Sequence, residues 1–181
     1  MNLRKLLTAA LLLGLGLVLH GLTPPILLGM RPDFLLAMMF MVIISGTNPM
    51  ETLAVGLLSG ILTALTTTFP GGQIGNMIDK PVTAFFTLGL CLLLRRVHPV
   101  VKVLVVAFSG TLVSGAVFLG SAALVAGLPG SFGGLILAVV LPAAVVNSAT
   151  VSVLYPVMRK VLERNQDKAA GADGGPGGLR P

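Results

Sequence analysis

The chain has 181 residues, of which 55% are hydrophobic and only 10% charged, and its mean hydropathy is +0.98. Soluble domains carry about 25% charged residues, so this composition excludes an ordinary water-soluble protein and indicates one surrounded mostly by lipid. The net charge of +6 does not indicate nucleic-acid binding, because the basic residues are scattered between apolar runs rather than clustered with aromatic residues.

The N-terminal segment, MNLRKLLTAALLLGLGLVLHG, has the basic start and the apolar run of a signal peptide. No A-x-A cleavage site follows it, so we interpret it as an uncleaved first helix. A spanning helix needs about 20 residues, and the apolar runs predict an all-α integral membrane bundle of six transmembrane helices. The predicted spans cover residues 3–21, 33–47, 51–69, 81–95, 99–126 and 133–161.

Basic residues indicate how these spans are oriented. Ten of the twelve Lys and Arg residues lie on the side of both termini, and only Arg31 and Lys80 lie on the other. Because basic residues are enriched in cytoplasmic loops, we expect both termini in the cytoplasm and a multi-pass protein of the bacterial plasma membrane. We expect residues 1–162 to form the transmembrane domain and the Gly-rich residues 163–181 to form a disordered tail.

Between the third and fourth spans lies GGQIGNMIDK, residues 71–80. The pattern predicts that residues 70–80 form an outward-facing loop and that Pro81 opens the fourth span. The charged and amide residues of the outer loops are the candidate substrate-binding residues: Arg31, Asp33, Gln73, Asn76, Asp79 and Lys80. Together they suit a zwitterionic small molecule, which needs both signs of charge. The alternative is that the charges pair with one another and with lipid headgroups.

Two further polar positions are candidates for the same site. Asn147 lies inside the sixth predicted span, five residues after Pro142, and polar groups within a span usually face a bundle interior or a cavity. The alternative is a hydrogen bond that only joins two helices. Thr67 belongs to a run of three threonines at the end of the third span. Most such hydroxyls bond back to helix carbonyls, but one can face a ligand.

Aromatic and small residues suggest two kinds of contact. Phe85, near the outer end of the fourth span, offers a ring partner to an aromatic ligand, although ordinary packing explains such a residue equally well. Gly56 and Gly60 place small residues on one face of the third span, which we assign to packing within the chain. Ala10 and Gly14 form a similar face on the first span, which we assign to docking of another subunit.

No motif in the sequence predicts catalysis. There is no P-loop, no Ser-His-Asp set and no H-E-x-x-H, so we expect no enzyme activity and no cofactor. The single Cys91 and two distant histidines predict no metal site. The acidic residues Asp33, Glu51 and Asp79 all lie at predicted span ends, which argues against a carrier that is coupled to protons by itself. Uphill transport that is not coupled to an ion requires a partner that supplies the energy.

Three segments carry a family resemblance: GMRPDFLLAMMFM, ALTTTFPGGQIGNMIDKPV and VVNSATVSVLYPV. They resemble the bacterial tryptophan transporter TrpP family, and the similarity covers roughly residues 3–162. The resemblance implies a substrate-binding S component of an energy-coupling factor (ECF) transporter, with L-tryptophan enclosed near the outer face. It also implies partners, a transmembrane T subunit and two ATPases that hydrolyse ATP. S components often dock through Ala-x-x-x-Ala on helix 1, where this chain has Ala10 and Gly14.

The energetics of capture agree with a site for both ends of an amino acid. Burying an indole of about 200 Å² contributes about 5 kcal/mol, whereas nanomolar affinity needs about 12 kcal/mol. The amino and carboxylate groups must therefore also be recognised. Other readings stay open at this point: an S component for another aromatic or vitamin-like substrate, a membrane scaffold without a ligand, and an ion-coupled carrier acting alone.

Overall fold

The computed structural model describes residues 3–24 and 32–173, and this part of the chain forms six helices and no strand. The bounds of the first five are α1 Leu3–Leu22, α2 Phe34–Ile44, α3 Pro49–Thr66, α4 Gly72–Leu93 and α5 Pro99–Val125. The sixth, α6, is continuous but changes its winding: Phe132–Leu135 is α-helical, Ile136–Val140 is π-helical and Leu141–Asp173 is α-helical again. The predicted all-α bundle of six helices is confirmed.

Helix α2 forms the centre of the bundle and contacts each of the other five helices. Its nine residues from Leu35 to Ile43 are all buried. A helix that is apolar on every side is stable only when other elements surround it. The side chain of Asp33 starts this helix by accepting a hydrogen bond from Leu36 N at 2.9 Å. The 11 residues of α2 span about 16 Å, about half of a bilayer core of about 30 Å.

Helices α3 and α4 pack closely along the predicted glycine face of α3. A Cβ atom placed on Gly56 would lie 3.0 Å from Pro81 Cα, and one placed on Gly60 would lie 3.0 Å from Asn76 O. Neither position has room for a side chain unless the backbone of α4 moves. The interpretation of this face as packing within the chain is therefore confirmed.

The predicted loop at residues 70–80 is wrong, because α4 already begins at Gly72. Gly71 has a φ of +70°, a left-handed conformation that glycine adopts without strain, and it reverses the chain within a few residues. Pro81 lies in the interior of α4 rather than in its first turn. It removes one hydrogen-bond donor from the helix, yet the helix continues beyond it to Leu93.

The two ends of the bundle can be distinguished by their contacts. Lys5 Nζ donates to Gly46 O at 3.0 Å, so the start of α1 lies at the same end as the turn between α2 and α3. This end, predicted to be cytoplasmic, is called the inner end here, and the opposite end, with Thr66 and Gly72, the outer end.

The backbone of α6 continues to Asp173, beyond the predicted domain end at residue 162, and residues 174–181 lie outside the described part.

Within residues 3–24 and 32–173, four helices are long and apolar enough to cross a membrane by length and composition. These windows are Lys5–Leu22, Pro49–Thr66, Pro99–Val125 and Phe132–Lys160. Helix α2 is apolar but short, and α4 has 22 residues but carries several polar ones in its first half. The protein is accordingly a multi-pass membrane protein.

Candidate functional site

A cavity of about 110 Å³ lies in the outer half of the bundle. A single water needs about 10–15 Å³ on the same measure, so the cavity has room for a small organic molecule rather than for one ion. Its walls come from the outer halves of α3, α4, α5 and α6, with contributions from the end of α1 and the start of α2. The lining residues are His20, Asp33, Leu36, Thr63, Thr66, Thr67, Thr68, Phe69, Asn76, Asp79, Lys80, Thr111, Ser114, Gly115, Phe118, Leu119, Val139, Val140, Ala143 and Asn147.

Helix α4 supplies the polar face of the cavity because its amphipathic pattern points inward. Asn76, Asp79 and Lys80 are buried, and so is Thr83 one turn further. The apolar residues of the same turns face away from the bundle: Ile74, Met77, Ile78 and Val82 are all exposed. In lipid this arrangement is stable, since the apolar face meets hydrocarbon and the polar face meets partners inside the protein.

An ion cluster joins α2 and α4 at the inner part of the cavity. Lys80 Nζ lies 2.8 Å from Asp33 Oδ2 and 2.5 Å from Asp79 Oδ2. Asp79 also accepts hydrogen bonds from Thr83 Oγ1 at 2.7 Å and from Ser114 Oγ at 2.8 Å. With both acids ionised, Lys80 protonated and His20 neutral, the cluster carries one net negative charge. It therefore attracts a cationic group.

Asp33 is the more accessible acid of this cluster. Its side chain is 21% exposed, whereas that of Asp79 is fully buried. His20 Nδ1 lies 3.9 Å from Asp33 Oδ1 and 3.2 Å from Pro32 O, so the end of α1 packs beside this carboxylate. A ligand that enters from the outer end therefore meets Asp33 rather than Asp79.

The alternative in which the charges pair with one another is confirmed for Asp79 and Lys80, which pair inside the bundle. Asp33 also pairs with Lys80. This pairing does not exclude ligand binding, because all three residues line the cavity. The expectation that Asp33, Glu51 and Asp79 all lie at span ends is wrong for Asp79. It is the eighth residue of α4, buried among helices, so the argument against ion coupling loses this support.

Asn147 on α6 forms a second polar contact at the cavity wall. Its Nδ2 donates to Thr111 Oγ1 on α5 at 3.2 Å, and Thr111 Oγ1 in turn donates to Ala107 O at 2.7 Å. Within the described residues, Asn147 Oδ1 has no hydrogen-bond partner although the side chain is fully buried. An unsatisfied buried carbonyl costs about 1–3 kcal/mol, which a donor from a bound ligand removes.

The π-helical segment of α6 contributes two further wall residues. Pro142 has no N–H and leaves the carbonyl of Ala138 without its usual helical donor, and the π segment Ile136–Val140 lies just before it. Val139 and Val140 of this segment line the cavity. Single π turns inside α-helices often occur at functional sites.

On α5 and α6, the polar and the apolar lining residues lie at different depths. On α5 the lining residues run from Thr111 and Ser114 to Phe118 and Leu119 as the helix approaches the outer end. On α6 they run in the opposite chain direction, from Asn147 through Ala143 to Val139. Both walls are therefore polar towards the inner end of the cavity, called the floor here, and apolar towards its outer end, called the mouth.

Aromatic rings add to the apolar mouth. Phe69, just after the end of α3, and Phe118 on α5 have ring centroids 5.5 Å apart and planes tilted by 59°. Both rings line the cavity. An aromatic ligand held at this depth would meet two rings and the aliphatic side chains of α5 and α6.

The predicted site residues divide into three groups. Six line the cavity: Asp33, Thr67, Asn76, Asp79, Lys80 and Asn147. Gln73 and Phe85 do not line it, and both are exposed, Gln73 in the first turn of α4 and Phe85 on its outward face. Arg31 lies outside the described residues. Assigning Gln73 and Phe85 to the cavity is thus not supported by their positions, because a helix turns these residues away from the polar face.

All three threonines of the run, Thr66, Thr67 and Thr68, line the cavity. Thr66 Oγ1 donates to Leu62 O at 3.0 Å within α3, whereas Thr67 follows the last residue of α3 and its Oγ1 accepts from Phe69 N at 3.3 Å.

The sequence interpretation missed the polar residues that α5 contributes, Thr111 and Ser114, together with Phe118. These three are spaced by three and four residues, which places them on one helix face. A search for polar residues at helical spacing inside an apolar span would have found them.

On α1, the predicted docking residues Ala10 and Gly14 are exposed, and nothing lies within 4 Å of a Cβ placed on Gly14.

Comparison with known proteins identifies the family. Residues 2–163 match the family described as tryptophan transporter TrpP. A probable tryptophan transport protein of Bacillus subtilis is 46% identical over 165 residues, which cover 91% of this chain and 96% of the Bacillus protein. Proteins of the same description from Clostridium acetobutylicum and Clostridium perfringens are 40% and 41% identical, covering 90% and 91% of this chain and 95% and 98% of their own.

No solved structure matches the chain significantly. The family match spans all six helices, including every described residue of the cavity. The relatives are transport proteins rather than enzymes, and they come from bacteria, as expected for a protein of the bacterial plasma membrane. The chain belongs to the TrpP family of tryptophan transporters.

Proposed function

We propose that this chain is the membrane subunit that binds L-tryptophan with high affinity for uptake, and that a separate ECF module supplies the energy. The module would consist of a T subunit and two ATPases that hydrolyse ATP, since this chain has no nucleotide motif. The observation that carries the proposal is a cavity in the outer half of the bundle that combines an ion cluster with an aromatic mouth.

The chemistry of the cavity supports an aromatic amino acid. The ion cluster and Asn147 offer charge and hydrogen bonds to a zwitterionic head group, while Phe69 and Phe118 offer rings to an indole. A purely apolar ligand would give the ion cluster no role, and a ligand without a ring would give Phe69 and Phe118 none. The family membership favours tryptophan among the aromatic amino acids.

Docking of the T subunit is proposed for the outward face of α1. Ala10 and Gly14 are exposed there, one helical turn apart, and small residues let another helix approach closely. Replacing Gly14 by Leu is expected to reduce co-purification of the T subunit without changing tryptophan binding. Equal loss of both would contradict this assignment.

Binding can be tested directly because the chain contains no Trp and only one Tyr. The fluorescence of added L-tryptophan can be followed against purified protein in detergent, with calorimetry as the second method. We expect saturable binding that other amino acids do not compete away. Folded protein that binds no tryptophan at micromolar ligand would contradict the proposed substrate, and a wider ligand screen would then separate another aromatic substrate from a scaffold.

Two residues of α4 give a matched comparison for the position of the site. Asn76 lines the cavity, whereas Gln73, nearly one turn earlier, is exposed. Asn76→Ala is expected to weaken tryptophan binding and Gln73→Ala to leave it unchanged. The opposite ranking would mean that the ligand binds outside the cavity.

The energy source requires a second experiment. Uptake of labelled tryptophan should be measured in cells that express the chain with and without the T subunit and the ATPases, and with ATPases whose P-loop lysine is replaced. We expect uptake only with active ATPases. Uptake by the chain alone that collapses with the proton gradient would instead indicate an ion-coupled carrier, in which the buried Asp79 is the first residue to test.

A further inference from the structure

The α5 and α6 walls are polar towards the inner end of the cavity and apolar towards its outer end, and this difference assigns the orientation of the ligand, an inference that rests on the proposed function. We propose that tryptophan binds with its head group at the polar inner floor and its indole at the apolar outer mouth, and that Asn147 Oδ1 accepts a hydrogen bond from the ligand's ammonium group.

The direction of the Asn147 amide follows from the hydrogen bonds around it. Thr111 has one hydroxyl hydrogen, which it donates to Ala107 O at 2.7 Å. Its oxygen can therefore only accept from Asn147, at 3.2 Å, and the amide must present Nδ2 to Thr111. Oδ1 then has to face elsewhere, and it is the buried acceptor that lacks a partner among the described residues.

The ligand group that meets this acceptor must be a donor. A tryptophan molecule has two, the ammonium group and the indole N–H. The depth of Asn147 decides between them. It lies at the inner end of the α6 wall, two turns from Val139 and away from the aromatic mouth. An indole between Phe69 and Phe118 would place its N–H at the mouth rather than at the floor.

The ion cluster lies near the same depth as Asn147. Ser114 contacts Asp79 and Thr111 contacts Asn147, and these two residues of α5 are three positions apart on one face. Three residues of an α-helix rise about 4.5 Å. The acceptor and the negatively charged cluster are thus held by adjacent turns of α5, and an ammonium group with three donors can address both.

The test combines ligand analogues with variants of one residue. Asn147→Leu removes the acceptor and keeps the number and branching of the side-chain heavy atoms. Binding of L-tryptophan, of indole-3-propionate, which lacks the ammonium group, and of benzothienylalanine, which lacks the indole N–H, is measured by calorimetry on the full chain in detergent. Ser148→Ala is the matched control, because Ser148 is buried next in sequence but bonds to Ala144 O and does not line the cavity.

We expect Asn147→Leu to weaken tryptophan and benzothienylalanine by the same factor, about tenfold to a hundredfold for a hydrogen bond to a charged group. Indole-3-propionate should bind the variant and the wild type equally. Asn147→Asp should retain most tryptophan affinity, since a protonated aspartic acid keeps an acceptor oxygen and can still donate to Thr111 Oγ1. Ser148→Ala should change none of these affinities.

Other results overturn the inference. If Asn147→Leu weakens tryptophan but not benzothienylalanine, the acceptor meets the indole N–H and the ligand lies the other way round. If it changes no affinity, Asn147 does not contact the ligand. If the Leu variant fails to fold, Asn147→Asp and the wild type still test the inference. Wild-type protein that binds indole-3-propionate as tightly as tryptophan would have no site for the ammonium group, and the inference would be wrong. Wild-type protein that binds no tryptophan contradicts the proposed function itself.

Discussion

Helices α2 and α4 both pack against several other helices, yet their buried faces are opposite in chemistry. Every buried residue of α2 from Leu35 to Ile43 is apolar. The buried face of α4 carries Asn76, Asp79, Lys80 and Thr83, while most of its large apolar residues face outward. The difference shows that burial in a membrane bundle does not require apolarity. Lipid solvates the apolar face, and polar groups are stable inside if they find partners.

The two helices accordingly have different roles in the same bundle. Helix α2 fills the centre and contacts every other helix, whereas α4 presents charge to the cavity. Substitutions on α2 beyond Leu36, which lines the cavity, should therefore change stability and spare ligand affinity, and substitutions of the α4 residues that line the cavity should change both.

The largest effect is expected for Lys80→Met. It leaves Asp33 and Asp79 buried without their cation, and removing one partner of a buried ion pair costs about 3–5 kcal/mol of the free energy of unfolding. Thermal unfolding in detergent should shift to lower temperature, and tryptophan binding should be lost. Lys102→Met on α5, outside the cavity, is the control. A Lys80 variant with unchanged stability would show that the cluster is not a buried ion network.

A slightly smaller effect is expected for Met39→Ala on α2. The side chain is fully buried in the central core, and truncating a buried Met costs about 2–5 kcal/mol. The folded fraction should fall while the tryptophan affinity of the remaining folded protein stays the same. A changed affinity would mean that Met39 supports the cavity wall to which Leu36 of the same helix belongs.

Thr83→Val tests the support of the ion cluster from outside the cavity. Thr83 Oγ1 donates to Asp79 Oδ1 at 2.7 Å but does not line the cavity. Losing a hydrogen bond to a charged group costs about 1.5–3 kcal/mol, so we expect lower stability with less effect on binding than Lys80→Met. The two measurements are the unfolding temperature and the calorimetric affinity, and equal losses in both variants would contradict this ranking.

The smallest effect is expected for Phe85→Ala on the outward face of α4. Phe85 is exposed and away from the cavity, and substitutions at such positions usually change stability by less than about 0.5 kcal/mol. Tryptophan affinity should be unchanged. A clear loss of affinity would restore the sequence-based assignment of Phe85 to the site and would place the ligand outside the cavity.

The sequence alone predicted much of the architecture. Apolar runs of sufficient length predicted the six helices, because the bilayer sets the length of any segment that crosses it. The glycine face of α3 predicted its close packing, since only small residues allow two helix backbones to approach. Asp33, Thr67, Asn76, Asp79, Lys80 and Asn147 all line the cavity, because polar residues in an apolar chain are retained where partners exist.

The error at residues 70–80 has an identifiable physical cause. A run of glycine and proline with polar residues is typical of a loop in a soluble protein. Here Gly71 completes the turn, and Pro81 is tolerated inside α4. Reading the same residues at helical spacing places Asn76, Asp79, Lys80 and Thr83 on one face. That pattern would have predicted the helix and excluded Phe85 from the site.

By itself, the sequence determined that this protein is a bundle of six membrane helices and that a few of its polar residues belong to a site. It could do so because hydropathy and the length of an apolar run are properties of the local chain. Only the tertiary structure decided which polar residues meet. Asp33 with Lys80, Ser114 with Asp79, and Asn147 with Thr111 each join different helices. Such pairings depend on how each helix is rotated and how deep it lies, and neither quantity is encoded in any single segment.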